Sequence, residues 1–142
     1  MKLKYINALM DMAERFAQTS EATRLKVGAL IYRDGAILSL GINGVPSGWP
    51  SESCEGVDGQ TLPHVRHAES AALEKLWLST ETSKGACLFV THSPCFQCAL
   101  KIKSAQISKV YFREHYKCSK GVDYLNSVGV ECLQVIQQEV FK

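Results

Sequence analysis

Two short stretches of this 142-residue chain carry side chains that can do chemistry together: His67-Ala68-Glu69 and Pro94-Cys95-Phe96-Gln97-Cys98. One imidazole and two thiolates supply three ligands for Zn²⁺ and leave a fourth tetrahedral position for water. A metal held in this way lowers the pKa of its water, so hydroxide is available near neutral pH. Glu69 is then free to carry protons between that water and a substrate nitrogen. Either stretch alone says little. His-x-Glu arises by chance, and a lone Cys-x-x-Cys also suits redox chemistry, half of a structural metal site or two buried thiols. Together, in this order and with Pro directly ahead of the first Cys, they specify an open, hydrolytic zinc site with one Zn²⁺ per chain.

Such a site needs a scaffold. The length suits a single domain over 1–142, and 46% hydrophobic with 21% charged residues is ordinary for a globular core. A net charge of +2 gives no electrostatic case for a nucleic-acid partner. No apolar run approaches the ~20 residues of a membrane span. Lys2 and Lys4 are followed by Asp11, Glu14 and Arg15, which break a signal-peptide core. A cytoplasmic location with six reduced Cys is expected. Cys54, Cys87, Cys118 and Cys132 read as buried or incidental thiols.

Tyr5, Ala8, Leu9, Met12, Ala13 and Phe16 recur at helical spacing and predict a helix over 4–19. Val27–Tyr32 and Ala36–Ile42 read as strands joined by an Asp34-Gly35 turn. Residues 44–66 form a long loop with three prolines, a length that in compact domains is usually functional. A helix over His67–Leu78 and a strand over Ala86–Thr91 follow. Ser93 is expected to cap the next helix with Pro94 at its first position, placing Cys95 and Cys98 on one face of the opening turn. Ile107–Phe112 is a strand, Asp123–Val128 a helix stopped by Gly129, and Val130–Ile136 the last strand. The order α-β-β-α-β-α-β-α-β predicts a three-layer α/β fold: a five-stranded mixed sheet with helices on both faces. Residues two apart do not share a helix face. His67 and Glu69 can therefore converge only if His67 lies at the helix edge.

The joint motif is the H-x-E…P-C-x-x-C signature of zinc nucleobase deaminases. Around it the chain resembles the deoxycytidylate (dCMP) deaminases of the cytidine deaminase superfamily, including small forms carried by some bacteriophages. The likeness runs over Arg24-Leu25-Lys26-Val27-Gly28-Ala29, Gly41-Ile42-Asn43-Gly44-Val45-Pro46-Ser47-Gly48, Val90 through Cys98, and Lys109 through Tyr116. It implies a cytidine deaminase-like fold that converts dCMP to dUMP and ammonia, with dUMP feeding dTMP synthesis. His67, Cys95 and Cys98 are then the zinc ligands and Glu69 the proton shuttle. Asn43 is implied to bind the sugar or its phosphate and Tyr116 to pack beside the nucleotide. Thr91, His92 and Ser93 line the substrate, and Arg24, Lys26 and Arg113 are phosphate cations, because a 5′-phosphate calls for positive charge.

The resemblance also implies homohexamers activated by dCTP and inhibited by dTTP, with Mg²⁺ accompanying the effector, at the Gly41-Ile42-Asn43-Gly44 turn. Ile42 stands where this turn usually has Tyr, and Ala71 where the family often has Asn. Some relatives hold a second zinc through a Cys ahead of the Arg24 segment. Here that Cys is missing, and Cys54 and His64 are two ligands where four are normally needed.

Three other readings share parts of the pattern. A tRNA adenosine deaminase would carry the same zinc motifs but calls for a clustered basic stripe, which is absent. A non-catalytic zinc-ribbon module would need a closed four-ligand metal and has no use for Glu69. A thiol–disulfide oxidoreductase would have no use for His67-Ala68-Glu69.

Overall fold

The computed structural model describes residues 1–136. Its elements are α1 Leu3–Ala17, β1 Gly28–Arg33, β2 Ala36–Ile42, α2 Ala68–Lys75, β3 Cys87–His92, α3 Phe96–Ser104, β4 Lys109–Glu114, α4 Lys120–Ser127 and β5 Glu131–Gln134. The β1–β2 hairpin turns through Asp34 (φ 49°) and Gly35 (φ 84°). Two successive left-handed residues make the tight turn whose twist matches its strands. The sheet order is β2-β1-β3-β4-β5. β1 runs antiparallel to β2 and β3, while β3, β4 and β5 are mutually parallel neighbours joined by crossovers through α3 and α4. The expected mixed sheet is thus realised.

Strand alternation sorts the core into two layers. Ala29, Ile31, Leu88, Val90, Val110 and Phe112 pack against Ala72 of α2, Ala99 and Ile102 of α3, and Leu125 of α4. The intervening Leu30, Phe89 and Tyr111 face Leu9, Met10 and Ala13 of α1. Three helices therefore cover one face and α1 covers the other. Among the described residues, no helix is long and apolar enough to cross a membrane.

Most element boundaries shift by one or a few residues from the sequence reading, and three differences bear on the packing around the site. The helix expected through Leu78 ends at Lys75, and residues 76–78 tighten into a 3₁₀ turn that buries Leu76 and leaves Trp77 and Leu78 exposed. α4 starts at Lys120 rather than 123, with Gly121 in its first turn packed closely on the Pro94 carbonyl. α3 starts at Phe96 with Cys95 as its cap, not at Pro94 with Ser93 as cap. Ser93 is committed elsewhere: its N–H donates to the Glu114 carbonyl, and its hydroxyl accepts from the Tyr116 N–H at 2.7 Å.

Candidate active site

His67 and Cys95 occupy equivalent places, each the extended residue that caps a helix (ψ 155° and 170°). Their carbonyls start the helices by accepting from Ala71 and Ala99. Two helix N-termini therefore aim at one point, and their partial positive charge favours anionic thiolates there. The cap position also resolves the His67–Glu69 spacing. The His67 side chain leaves from outside the helix, while Glu69 points inward from the first turn and is 5% exposed.

Cys95 Sγ lies 3.6 Å and Cys98 Sγ 3.2 Å from His67 Nδ1. The three ligand atoms fall within 4.8 Å of one another, the one such cluster among the described residues. Tetrahedral zinc with bonds of about 2.3 Å to sulfur and 2.0–2.1 Å to nitrogen spaces such atoms by about 3.5 Å. The donor set and its spacing therefore fit zinc. Hydrogen bonds from Cys98 and His67 hold the Cys95 thiol far below the usual range, while the hydrogen bond with Cys95 and burial push Cys98 up. The hydrogen bond to Cys95 also raises His67. Burial pushes the Glu69 carboxyl up to about 7.

Glycines set the distances beneath these side chains. A Cβ on Gly41 would stand 2.3 Å from the Ala68 carbonyl oxygen, so β2 can lie against the first turn of α2 only as glycine. A Cβ on Gly121 would stand 2.1 Å from the Pro94 carbonyl oxygen, so α4 braces the Cys95 cap in the same way. The site opens into a cavity of about 530 Å³ whose lining includes Glu69, Asn43, His92, Ser93, Tyr116 and Arg24.

A family model, the cytidine and deoxycytidylate deaminase zinc-binding region, matches residues 3–114. The chain belongs to that family. The deaminase is similar to the dCMP deaminase of cyanophage S-TIM5, solved in complex with dCMP and dUMP. The two are 45% identical with a TM-score of 0.91, over 93% of this chain and 97% of that one. It is 33% identical to ComE operon protein 2 of Bacillus subtilis over 98% of this chain and 75% of that protein. It is also 33% identical to the deoxycytidylate deaminase of Mycobacterium phage D29, over 72% and 89% respectively.

Within the deaminase, the expected nucleotide residues separate into two groups. Arg24, Asn43, His92, Ser93 and Tyr116 line the cavity. Asn43 is also a structural pin: its Oδ1 accepts from the Val27 N–H and its Nδ2 donates to the Leu25 carbonyl. The amide keeps one further donor and one further acceptor site. Arg113 does not reach the cavity. Its guanidinium pairs with Asp11 and Glu14 of α1 at 2.8 and 2.7 Å and is 9% exposed. Lys26 donates to the Ser20 carbonyl, and the buried Thr91 hydroxyl accepts from the Gly28 N–H, so neither lines the cavity. In the proposed regulatory turn, Gly41 packs on α2 and Gly44 pairs with Arg66 through two backbone hydrogen bonds. Cys54 is buried on the cavity wall and His64 stacks on Trp49 with ring centroids 3.9 Å apart, so the two are not gathered into a metal cluster. The cavity also brings in His115, which lay in the matched Lys109–Tyr116 stretch but was given no role, and Lys117 and Glu55, which carried no motif.

Proposed function

We propose that the deaminase hydrolyses dCMP to dUMP and ammonia, supplying dUMP for dTMP synthesis. The observation that carries this reading is the arrangement along one cavity. A zinc-fitting triad with a buried carboxylate borders it, and Arg24 and Lys117 on the same lining supply cations suited to a 5′-phosphate. The similarity to a phage enzyme solved with dCMP and dUMP supports the same substrate. His67, Cys95 and Cys98 would hold the metal. When bound, Zn²⁺ supplies a Lewis acid that brings the pKa of water toward 7. Glu69 takes the proton from the attacking water and delivers it to the pyrimidine ring nitrogen as the new C–O bond forms at C4. It then takes the proton of the new C4 hydroxyl and passes it to the exocyclic nitrogen, and the C4–N bond breaks to release ammonia as the C4 carbonyl forms. A carboxyl poised near 7 can both accept and donate at neutral pH. Asn43 offers its remaining donor to the sugar.

The family resemblance extends this reading to a homohexamer, activated by dCTP and inhibited by dTTP with Mg²⁺ on the triphosphate. An effector can shift the enzyme only by binding its active and inactive states unequally. One assay tests both levels. Ammonia release is measured on deoxycytidine, dCMP, dCTP and a tRNA anticodon stem-loop, and the dCMP curve is repeated with each triphosphate plus Mg²⁺. Preference for dCMP is expected, with sigmoidal curves displaced in opposite directions. Turnover of the stem-loop alone would overturn the substrate, and a hyperbolic curve that neither triphosphate moves would overturn the regulation.

A further inference from the structure

Two segments contribute to the cavity wall: residues 22–27 after α1, and the long loop contributing Cys54, Glu55, Thr61 and Val65. The loop has its own internal order. Gly44 and Arg66 clamp its base through reciprocal backbone hydrogen bonds. At its tip, residues 54–62 fold into a small hairpin, with Leu62 N–H donating to Cys54, Gly56 N–H to Gln60 and a bridge between Glu55 and Thr61. Cys54 is buried and seats this hairpin.

Between the tip and the opposite wall, hydrogen bonds among the described residues run through two side chains only. The Glu55 carboxylate accepts from the Thr23 N–H at 3.2 Å, the Thr23 hydroxyl at 3.0 Å and the Arg24 N–H at 3.2 Å. Gln60 Oε1 accepts from Arg24 Nη1 at 3.3 Å. Every donor lies on the two-residue segment that ends in Arg24, and every acceptor lies on the hairpin.

We propose that Glu55 is a positioning residue, a latch whose carboxylate ties the 54–62 hairpin to Thr23–Arg24 and so sets the Arg24 guanidinium at the phosphate end of the cavity. This role rests on the dCMP reading. A carboxylate suits the task because it presents acceptors alone, matching a cluster of donors. Glutamine would keep the length but turn an NH₂ toward the backbone N–H groups. The direction of the carboxyl's own titration agrees: desolvation pushes it upward, yet the hydrogen bonds from Arg24 and Thr23 leave it below the usual carboxylate range.

The test compares Glu55→Gln and Glu55→Asp with wild type on dCMP and on deoxycytidine, the latter as substrate or competitive inhibitor. Hydrogen exchange of the loop amides is followed in the same samples. In Glu55→Gln, the KM for dCMP should rise about tenfold with kcat within about twofold, deoxycytidine should be unaffected, and exchange over 54–62 should accelerate. Glu55→Asp, which keeps the charge, should recover part of the KM. Three results would overturn the latch: an unchanged KM with unchanged exchange, an equal loss on deoxycytidine, or a lowered KM showing that the carboxylate competes with phosphate. If wild type itself does not prefer dCMP to deoxycytidine, the substrate reading fails. The latch is then decided by exchange alone, and unaltered protection over 54–62 rejects it.

Discussion

At the metal end of the cavity, His67, Glu69, Cys95 and Cys98 sit at the openings of two helices packed on a sheet. Elsewhere on its lining, Arg24 and Lys117 sit on connections, and side-chain hydrogen bonds hold Arg24's segment in place. The first end has its backbone fixed by helix caps and by two glycine contacts too close for any Cβ. The second is exposed and tied mainly through one carboxylate. Chemistry that moves protons between fixed atoms needs the first kind of support, because small misplacements there are costly. Recognition of a phosphate tolerates the second, since charge attraction is broad in angle and long flexible side chains can follow it. Damage at the metal end should therefore appear in kcat, and damage at the loop end in KM.

The strongest way to break the metal end is to remove its ligands. Cys95→Ser/Cys98→Ser is expected to lose the zinc and all measurable turnover, while wild type holds about one zinc per chain by elemental analysis. Full metal retention in the double mutant would show that these sulfurs are not the ligands.

Next comes Glu69→Gln, which keeps size and hydrogen bonding but cannot take a proton. Since general acid–base groups are worth roughly 10²–10⁴ in rate, kcat should fall by about that factor with zinc content and KM little changed. Activity within tenfold of wild type would take Glu69 out of the proton path.

The same division governs what could be read from sequence. The metal end was legible because its working residues pair within short motifs, His67 with Glu69 two residues on and Cys95 with Cys98 three residues on, and the Asp34-Gly35 turn was legible for the same local reason. The start of α3 was misplaced because Ser93, a good cap by type, is drawn to Glu114 and Tyr116, contacts made across more than twenty residues. Arg113 was read as a phosphate cation from its motif, yet its partners lie about a hundred residues earlier on α1. Glu55 meets Thr23 across 32 residues, and Gly121 meets Pro94 only when α4 folds back. Neither carries a neighbouring pattern that could announce it.

The mildest test sets two arginines side by side. Arg24 lines the cavity and Arg113 does not. Arg24→Gln removes one charged hydrogen-bonding partner of the phosphate, an interaction worth about 1.5–3 kcal/mol. KM for dCMP should therefore rise roughly tenfold or more with kcat nearly intact. Arg113→Gln should leave KM alone and act on stability instead. Its guanidinium is nearly buried, but Asp11 and Glu14 are 49% and 44% exposed, so solvent screens much of the attraction. A loss of about 1–2 kcal/mol is the scale expected for two such partly screened pairs. For a domain of this size that lowers Tm by roughly 2–8 °C. Thermal melts and dCMP saturation curves on both variants decide the matter. A raised KM in Arg113→Gln with an unmoved Tm would return Arg113 to the phosphate site, and the division of labour between the two arginines would have to be redrawn.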